Sequence, residues 1–280
     1  MKVRSVRRST ATVAAIFLLN AVAVPAVVAA IAVTNDCDDQ IAAASLLNSS
    51  GDYAGALAAF DAIVEECDGK SERIAIQTHR AHALNRLGQY TDAYTAANAA
   101  IEDDDKHLFA LSERAYANER LGNIDLAIAD YNRIIELTEK NENVAERATN
   151  YAKVADLYYK QGNTAEAQAN MAKAIELDPT NPDFAIIQGD WAASSGDYDA
   201  AQASYDQAIA KGMSEAEAYQ IKAETSVKQV QKKYDTTNAQ ELRAQMSTAE
   251  TEKVCSDVTK ALDLGWMNPQ MDMFAALVCK

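Results

Sequence analysis

The sequence predicts an all-α protein made of stacked antiparallel helix pairs, because three features recur together along it. The first feature is a glycine followed five residues later by an alanine, with successive glycines 37, 34, 40 and 34 residues apart: Gly51/Ala56, Gly88/Ala93, Gly122/Ala127, Gly162/Ala167 and Gly196/Ala201. The second is a small residue seven positions before each glycine: Ala44, Ala81, Ala115, Ala155 and Gly189. The third is a bulky apolar residue nine positions after four of the glycines: Phe60, Tyr131, Met171 and Tyr205. A helical unit that recurs near 34 residues is typical of a solenoid in which each pair packs on its neighbours.

Each recurring position has a physical role in such a helix pair. Small residues allow two antiparallel helices to approach closely, and bulky residues fill the space toward the next pair. The glycine allows the positive φ that a tight turn between the helices requires.

Two segments, Arg120–Leu137 and Lys160–Pro179, carry a resemblance to the tetratricopeptide repeat (TPR), a 34-residue helix–turn–helix. In this register, five units are predicted over residues 36–212: 36–68, 71–103, 105–140, 144–179 and 182–212. The resemblance implies a right-handed superhelix whose first helices line a concave groove that binds peptides or helices of other proteins.

Residues 214–280 are predicted to form a degenerate sixth helical pair and a capping helix. Ser214 and Glu217 form a capping-box pattern that opens a helix reaching about Tyr234. Asn238 is predicted to begin a second helix that runs without interruption to about Leu264. Asn268 followed by proline then marks the start of the capping helix.

The first 30 residues are predicted to be a secretory signal peptide. Four basic residues precede an apolar run from Ala11 to Val33, and small residues surround Ala30. Cleavage after Ala30 or Ala32 predicts an exported, periplasmic protein that no longer inserts into the membrane. The alternative is an uncleaved helix that anchors the protein to the inner membrane, since the run is long enough to span a bilayer.

The rest of the chain is strongly acidic. Beyond residue 35 it carries 22 basic and 41 acidic residues, a net charge of −19. Such a chain repels nucleic acid phosphates and anionic lipid headgroups, which excludes a nucleic-acid partner. We interpret the acidic residues mainly as a means of keeping the outer faces soluble. The alternative is that they form a dedicated acidic docking surface.

The four cysteines lie at the two ends of the predicted mature chain. Antiparallel helices bring Cys37 abreast of Cys67, and a second hairpin brings Cys255 abreast of Cys279. We therefore predict two disulfides that hold the terminal hairpins, in an oxidising compartment. Four unpaired core thiols remain the alternative, and no zinc-type spacing is present.

The sequence contains no motif that indicates an enzyme. There is no phosphate-binding glycine loop, nucleophile elbow or metalloprotease pattern. His79 and His82 lie three residues apart, but no third metal ligand accompanies them, so we expect neither a metal nor another cofactor.

Helical spacing, with the inner position that the resemblance gives to the first helices, selects a set of candidate partner-binding residues. They are His82, Asn85, Arg86, Phe109, Tyr116, Glu119, Arg120, Asp156, Tyr159, Lys160 and Asp190. Tyrosine and arginine are the types that most often anchor protein interfaces. The predicted function is thus an exported scaffold that binds other proteins or peptides. The alternatives are an assembly or chaperone factor for envelope proteins, or an accessory subunit of an envelope enzyme.

Overall fold

A computed structural model describes residues 36–140 and 143–280, and these residues form helices joined by short turns, with no strand among them. They divide into two compact units, with the boundary in the chain between Leu137 and Thr138. Unit 1 contains α1 Cys37–Ser50, α2 Tyr53–Ile63, α3 Lys70–Arg86, α4 Tyr90–Asp103, α5 Leu108–Arg120 and α6 Ile124–Leu137. Unit 2 contains α7 Val144–Lys160, α8 Thr164–Leu177, α9 Pro182–Ser195, α10 Tyr198–Ala210, α11 Glu215–Tyr234, α12 Ala239–Gln245, α13 Thr248–Asp263 and α14 Pro269–Val278. The prediction of an all-α fold is confirmed.

The turn glycine of each predicted repeat ends the first helix of a pair. The five glycines have φ between 77° and 90°, the left-handed region that residues with a Cβ rarely adopt. At Gly51, the glycine amide donates to the Asn48 carbonyl, and the Asp52 amide donates to the Leu47 carbonyl at 2.9 Å. These bonds satisfy carbonyls that the end of α1 leaves free and turn the chain back into α2.

Close approach of the paired helices depends on the small residues. Ala44, Ala81, Ala115 and Ala155 are fully buried. In the fifth pair the same position is Gly189, and a Cβ built there would lie 2.5 Å from Cε1 of Tyr205. In the fifth pair the Tyr205 ring therefore occupies the space that the other pairs give to an alanine methyl group.

Within unit 1, the first helix of each pair packs on both helices of the pair before it. Helix α3 contacts both α1 and α5, whereas among the described residues the second helices α2, α4 and α6 do not pack on one another to a comparable extent. The first helices are thus the more closely spaced layer, and we call the side of each that packs on no other helix its free face.

The predicted uninterrupted helix from Asn238 to Leu264 is wrong. The structure divides it into α12 and α13, because Met246 is extended with ψ 140°. Ser247 starts α13 with a complete capping box, in which its hydroxyl accepts from the Glu250 amide and its own amide donates to the Glu250 carboxylate at 2.9 Å. The cap offers the backbone a better arrangement than continuing the helix.

Both ends of the described chain carry a disulfide. Cys37 is bonded to Cys67 with Cα atoms 5.7 Å apart, and Cys255 to Cys279 with Cα atoms 5.5 Å apart. These are the two pairs that the sequence predicts. The predicted signal peptide or membrane anchor, by contrast, lies outside the described residues, and among the described helices none is both long and apolar enough to cross a membrane.

Candidate partner-binding surfaces

The free face of α3 and α5 in unit 1 carries a cluster of aromatic and histidine side chains. Phe109 lies between two histidines, with its ring centroid 5.8 Å from that of His79 and 5.6 Å from that of His82. Tyr53 of α2 meets the His82 ring edge-on at 6.0 Å. Because Phe109 is 39% exposed, this histidine cluster offers a contact surface to a partner. Burial lowers the pKa of His79, which favours the neutral ring at physiological pH.

Glu113 holds the histidine cluster in position through contacts of its carboxylate. Its carboxylate lies 2.9 Å from Nδ1 of His82 and accepts a hydrogen bond of 2.7 Å from the amide of Asn85. The Asn85 amide also donates to the Glu113 backbone carbonyl, at 2.9 Å. Asn85 is only 3% exposed, so it positions the surface from within and is not itself accessible to a partner.

A second group in unit 1 joins two tyrosines and an arginine. The Tyr116 ring meets the Tyr90 ring edge-on at 6.3 Å, and the Arg120 guanidinium lies over Tyr90, 4.8 Å from its centroid. Arg120 and Arg86 are exposed, whereas Tyr116 and Glu119 are half-buried. The structure therefore brings Tyr116 and Arg120 together through Tyr90, a residue of the second helix that helical spacing along the first helices did not select.

Unit 2 presents an aromatic platform made by α7 and α9. The rings of Tyr159 and Trp191 stack with centroids 4.7 Å apart and planes 6° from parallel. The Tyr159 hydroxyl donates to the Trp191 carbonyl at 2.7 Å and lies 2.9 Å from Oγ of Ser194. The indole Nε1 of Trp191 donates to Asp156 at 2.9 Å, and Asp156 also pairs with Lys160 at 2.7 Å. Three of the predicted residues thus share one platform, which we call the Tyr159–Trp191 platform.

Asp190 lies apart from that platform, on the side of α9 that faces α10. It accepts a hydrogen bond of 2.9 Å from the Tyr205 hydroxyl. Burial raises the pKa of Asp190, an effect that the Tyr205 hydrogen bond partly offsets. Asp190 is exposed at its edge and remains accessible.

Helical spacing did not select Trp191, which the structure shows to be half of the platform. Trp191 stands five positions before the turn glycine and directly after the selected Asp190, and a large indole there was a usable signal. As for metals, the described part of the chain contains no group of three or more histidine, cysteine or acidic side chains that could hold an ion.

Two tetratricopeptide repeat family models match the chain, over residues 107–180 and 154–216. Among solved structures, a tetratricopeptide repeat protein from Parabacteroides merdae superposes with a TM-score of 0.55 at 17% identity, covering 87% of this chain and 99% of that one. A thermophilic TPR protein from Thermus thermophilus gives a TM-score of 0.54 at 16% identity, covering 68% and 98%. YrrB, described as a TPR protein with an unusual peptide-binding site, gives 0.50 at 20% identity, covering 71% and 98%.

Proposed function

Because this chain belongs to the tetratricopeptide repeat family, we propose that it is an exported, non-catalytic scaffold that binds a protein or peptide partner on the free face of its first helices. Binding of peptides is the property named for YrrB, and we carry it to this chain as a proposal.

The observation that carries the proposal is the Tyr159–Trp191 platform. Its two rings are held in one orientation by the hydrogen bonds of Tyr159 to the Trp191 carbonyl and of Trp191 to Asp156. Binding to a surface that is already ordered costs little side-chain entropy, and tyrosine and tryptophan dominate the energy of most protein interfaces. Asp156 and Lys160 at its border supply polar groups that orient a ligand.

Export is supported by the disulfides and by the character of residues 1–30. Disulfides persist in oxidising compartments and are rare in the cytosol of most organisms. N-terminal sequencing of the mature protein should therefore return Ile31 or Val33. Recovery of Met1 from a membrane-bound protein would instead support the uncleaved anchor.

Two alternatives remain close to the proposal. An assembly or chaperone factor would recover many unfolded envelope proteins, because its surface accepts exposed apolar segments in general. An accessory subunit of an envelope enzyme would recover one stoichiometric partner. Affinity purification of the tagged mature protein from its native envelope separates the two by the number and ratio of recovered proteins.

The platform is tested by the Tyr159→Ala/Trp191→Ala double variant in that purification. We expect loss of more than about 1 kcal/mol in binding, roughly a fivefold or greater fall in recovered partner, while the circular dichroism spectrum stays helical. Tyr159→Phe keeps the ring and removes the hydroxyl bonds, so it should retain most of the binding.

Glu176→Lys is the matched control on the second-helix side of unit 2, where the side chain is exposed. It should alter mainly the salt dependence of association. If Glu176→Lys abolished recovery while the platform variant bound normally, the partner would dock on the outer side and the proposed surface would be wrong. In unit 1, Tyr116→Ala tests the corresponding surface by the same measurement of recovered partner, in a separate variant.

A further inference from the structure

Helix α11 carries two lysines that form no ion pair within the described part of the chain. Lys228 and Lys232 are both exposed and stand four residues apart, on one side of the helix. The neighbouring lysines of α11 are paired: Lys222 with Asp206, and Lys233 with Glu250. Lys228 and Lys232 form no ion pair or hydrogen bond with any residue that the structure describes. In a chain with a net charge of −15, two adjacent unpaired ammonium groups are a local exception.

These two lysines line a cavity of about 560 Å³ at the end of α11. Tyr198, Thr236 and Thr237 add hydroxyl groups to its wall. The Lys232 ammonium lies above the turn between α9 and α10, 3.5 Å from where a Cβ on Gly196 would stand. The acids near the cavity are Asp235, which lines it, Glu241, which accepts a hydrogen bond of 2.7 Å from the Thr236 hydroxyl, and Asp190, which interacts electrostatically with Lys228. The lining itself carries two ammonium groups and one carboxylate, so it suits an anionic oxygen ligand.

A second cavity, of about 420 Å³, lies on the adjacent side of α11 and is mostly apolar. Its wall contains Met271, Met273 and Phe274 of α14 together with Val227. Met273 is 57% exposed although it is apolar. Methionine side chains adapt their shape to different apolar ligands, and exposed ones often mark binding surfaces. We call this the methionine cavity.

The two cavities adjoin, because Gln231 and Thr237 line both. Val227 and Lys228 are successive residues, so the cavities open on neighbouring sides of one helix about 10 Å across. An extended peptide advances about 3.4 Å per residue. A ligand that fills both cavities therefore needs an apolar group and an anionic group roughly one to three residues apart.

We propose that this double cavity binds an extended segment of a partner protein that places an apolar side chain in the methionine cavity and a carboxylate between Lys228 and Lys232. The proposal rests on the scaffold function proposed above and adds a second contact, separate from the Tyr159–Trp191 platform. Because the net charge of the chain repels anions at long range, the segment carries one carboxylate and not an acidic run.

The test uses the full mature protein labelled with carbon-13 at its methionine methyl groups. Four tripeptides serve as ligands, each acetylated and amidated: Leu-Gly-Glu, Leu-Gly-Gln, Ser-Gly-Glu and Leu-Gly-Lys. We expect Leu-Gly-Glu to shift the Met271 and Met273 signals and to bind at least fivefold more tightly than each of the others. The signal of Met171, which is buried in a different core cluster, should stay in place.

Variants assign each half of the ligand to its cavity. Lys228→Gln/Lys232→Gln should reduce the affinity for Leu-Gly-Glu to that for Leu-Gly-Gln, and Met273→Ser should reduce it to that for Ser-Gly-Glu. Lys173→Gln/Lys211→Gln removes the same charge elsewhere in unit 2 and should leave the affinity within twofold. Circular dichroism checks that each variant is folded.

Equal affinity for all four peptides, or equal effects of the two lysine double variants, overturns the proposal. So does a shift produced by octanoate but by none of the peptides, since the cavities would then take a free amphiphile. Self-association that disappears in Lys228→Gln/Lys232→Gln also overturns it, because the occupant would be a second copy. The proposed function is judged separately: loss of the native partner in Tyr159→Ala/Trp191→Ala stands whatever the peptides do.

Discussion

At the residue scale, the position three residues before the turn glycine links one repeat to the next. Asn48 donates from Nδ2 to the His79 carbonyl at 3.0 Å, and Asn85 donates in the same way to the Glu113 carbonyl at 2.9 Å. His79 and Glu113 each stand nine residues before their own turn glycine, so the bond repeats in register. In unit 2, Tyr159 occupies the same position and reaches further, to the Trp191 carbonyl. A position predicted to face a ligand therefore also holds the stack together.

Gly189→Ala is the sharpest test of packing at a single residue. In an open helix interior, replacing glycine by alanine stabilises by about 0.5–1 kcal/mol. Here the new Cβ would lie 2.5 Å from the Tyr205 ring, so we expect the opposite sign, a loss of about 1–3 kcal/mol in the free energy of unfolding. Urea denaturation followed by circular dichroism measures the change.

Tyr205→Leu in the same background supplies the control for that clash. Removing the ring should recover much of the loss caused by Gly189→Ala, so the two changes together should cost less than the sum of their separate effects. A stabilising effect of Gly189→Ala alone would mean that the helices of the fifth pair are not packed as closely as described.

At the element scale, the helix pairs were predictable and one boundary was not. The repeated glycines and small residues determine turns and close helix contacts locally, so their spacing predicts five pairs. The break before α13 is signalled only by Ser247 and Glu250, in a stretch without glycine or proline. Whether a serine caps a new helix or lies inside a longer one depends on the tertiary packing of Met246 and Leu242, both of which are buried.

Ser247→Ala tests that boundary. Loss of the cap should cost about 1 kcal/mol in the free energy of unfolding, measured by urea denaturation at pH 7. Ser256→Ala, at an exposed site later in α13, should have little effect. An equal effect of the two substitutions would contradict a capping role.

The cap should also make the free energy of unfolding depend on pH. Hydrogen bonds from Lys233 and then from Ser247 lower the pKa of Glu250 to about 2. A carboxylate whose pKa is lower in the folded state stabilises the fold above its ordinary pKa, and that contribution is lost as the pH falls toward 2. We therefore expect the difference in unfolding midpoint between Ser247→Ala and the parent to shrink between pH 5 and pH 2.

At the scale of the whole molecule, the sequence predicted that the first helices carry an aromatic and polar surface, but it predicted less well which residues form that surface. Helical spacing placed Tyr159, Asp156 and Lys160 together, as the structure does. It selected Asn85, which is buried, and missed Trp191, because spacing gives the angle of a residue around its own helix and not the distance to the next helix. The double cavity was also beyond reach, since it depends on the packing of α14 on α12 and α13 beside α11.

Deletion of residues 89–122, one 34-residue period within unit 1, tests the modular stack. Because each pair contacts only its neighbours, the shortened protein should remain folded and helical by circular dichroism. Deletion of residues 89–105, half a period, removes one helix of a pair and should yield an aggregated or unfolded product. Equal collapse of both deletions would argue against independent repeats.

The two disulfides determine whether the fragments stay joined when a protease cuts the chain. Each bridge encloses the turn of a terminal hairpin: Gly51 lies between Cys37 and Cys67, and Gly265 lies between Cys255 and Cys279. Exposed turns are the preferred sites of proteolytic nicking. A cut at either of these turns leaves the two fragments covalently joined, whereas a cut at the turns of Gly88, Gly122, Gly162 or Gly196 is not bridged. Molecules nicked at either of the two terminal turns should therefore keep their terminal hairpins and migrate at full length until a reductant is added.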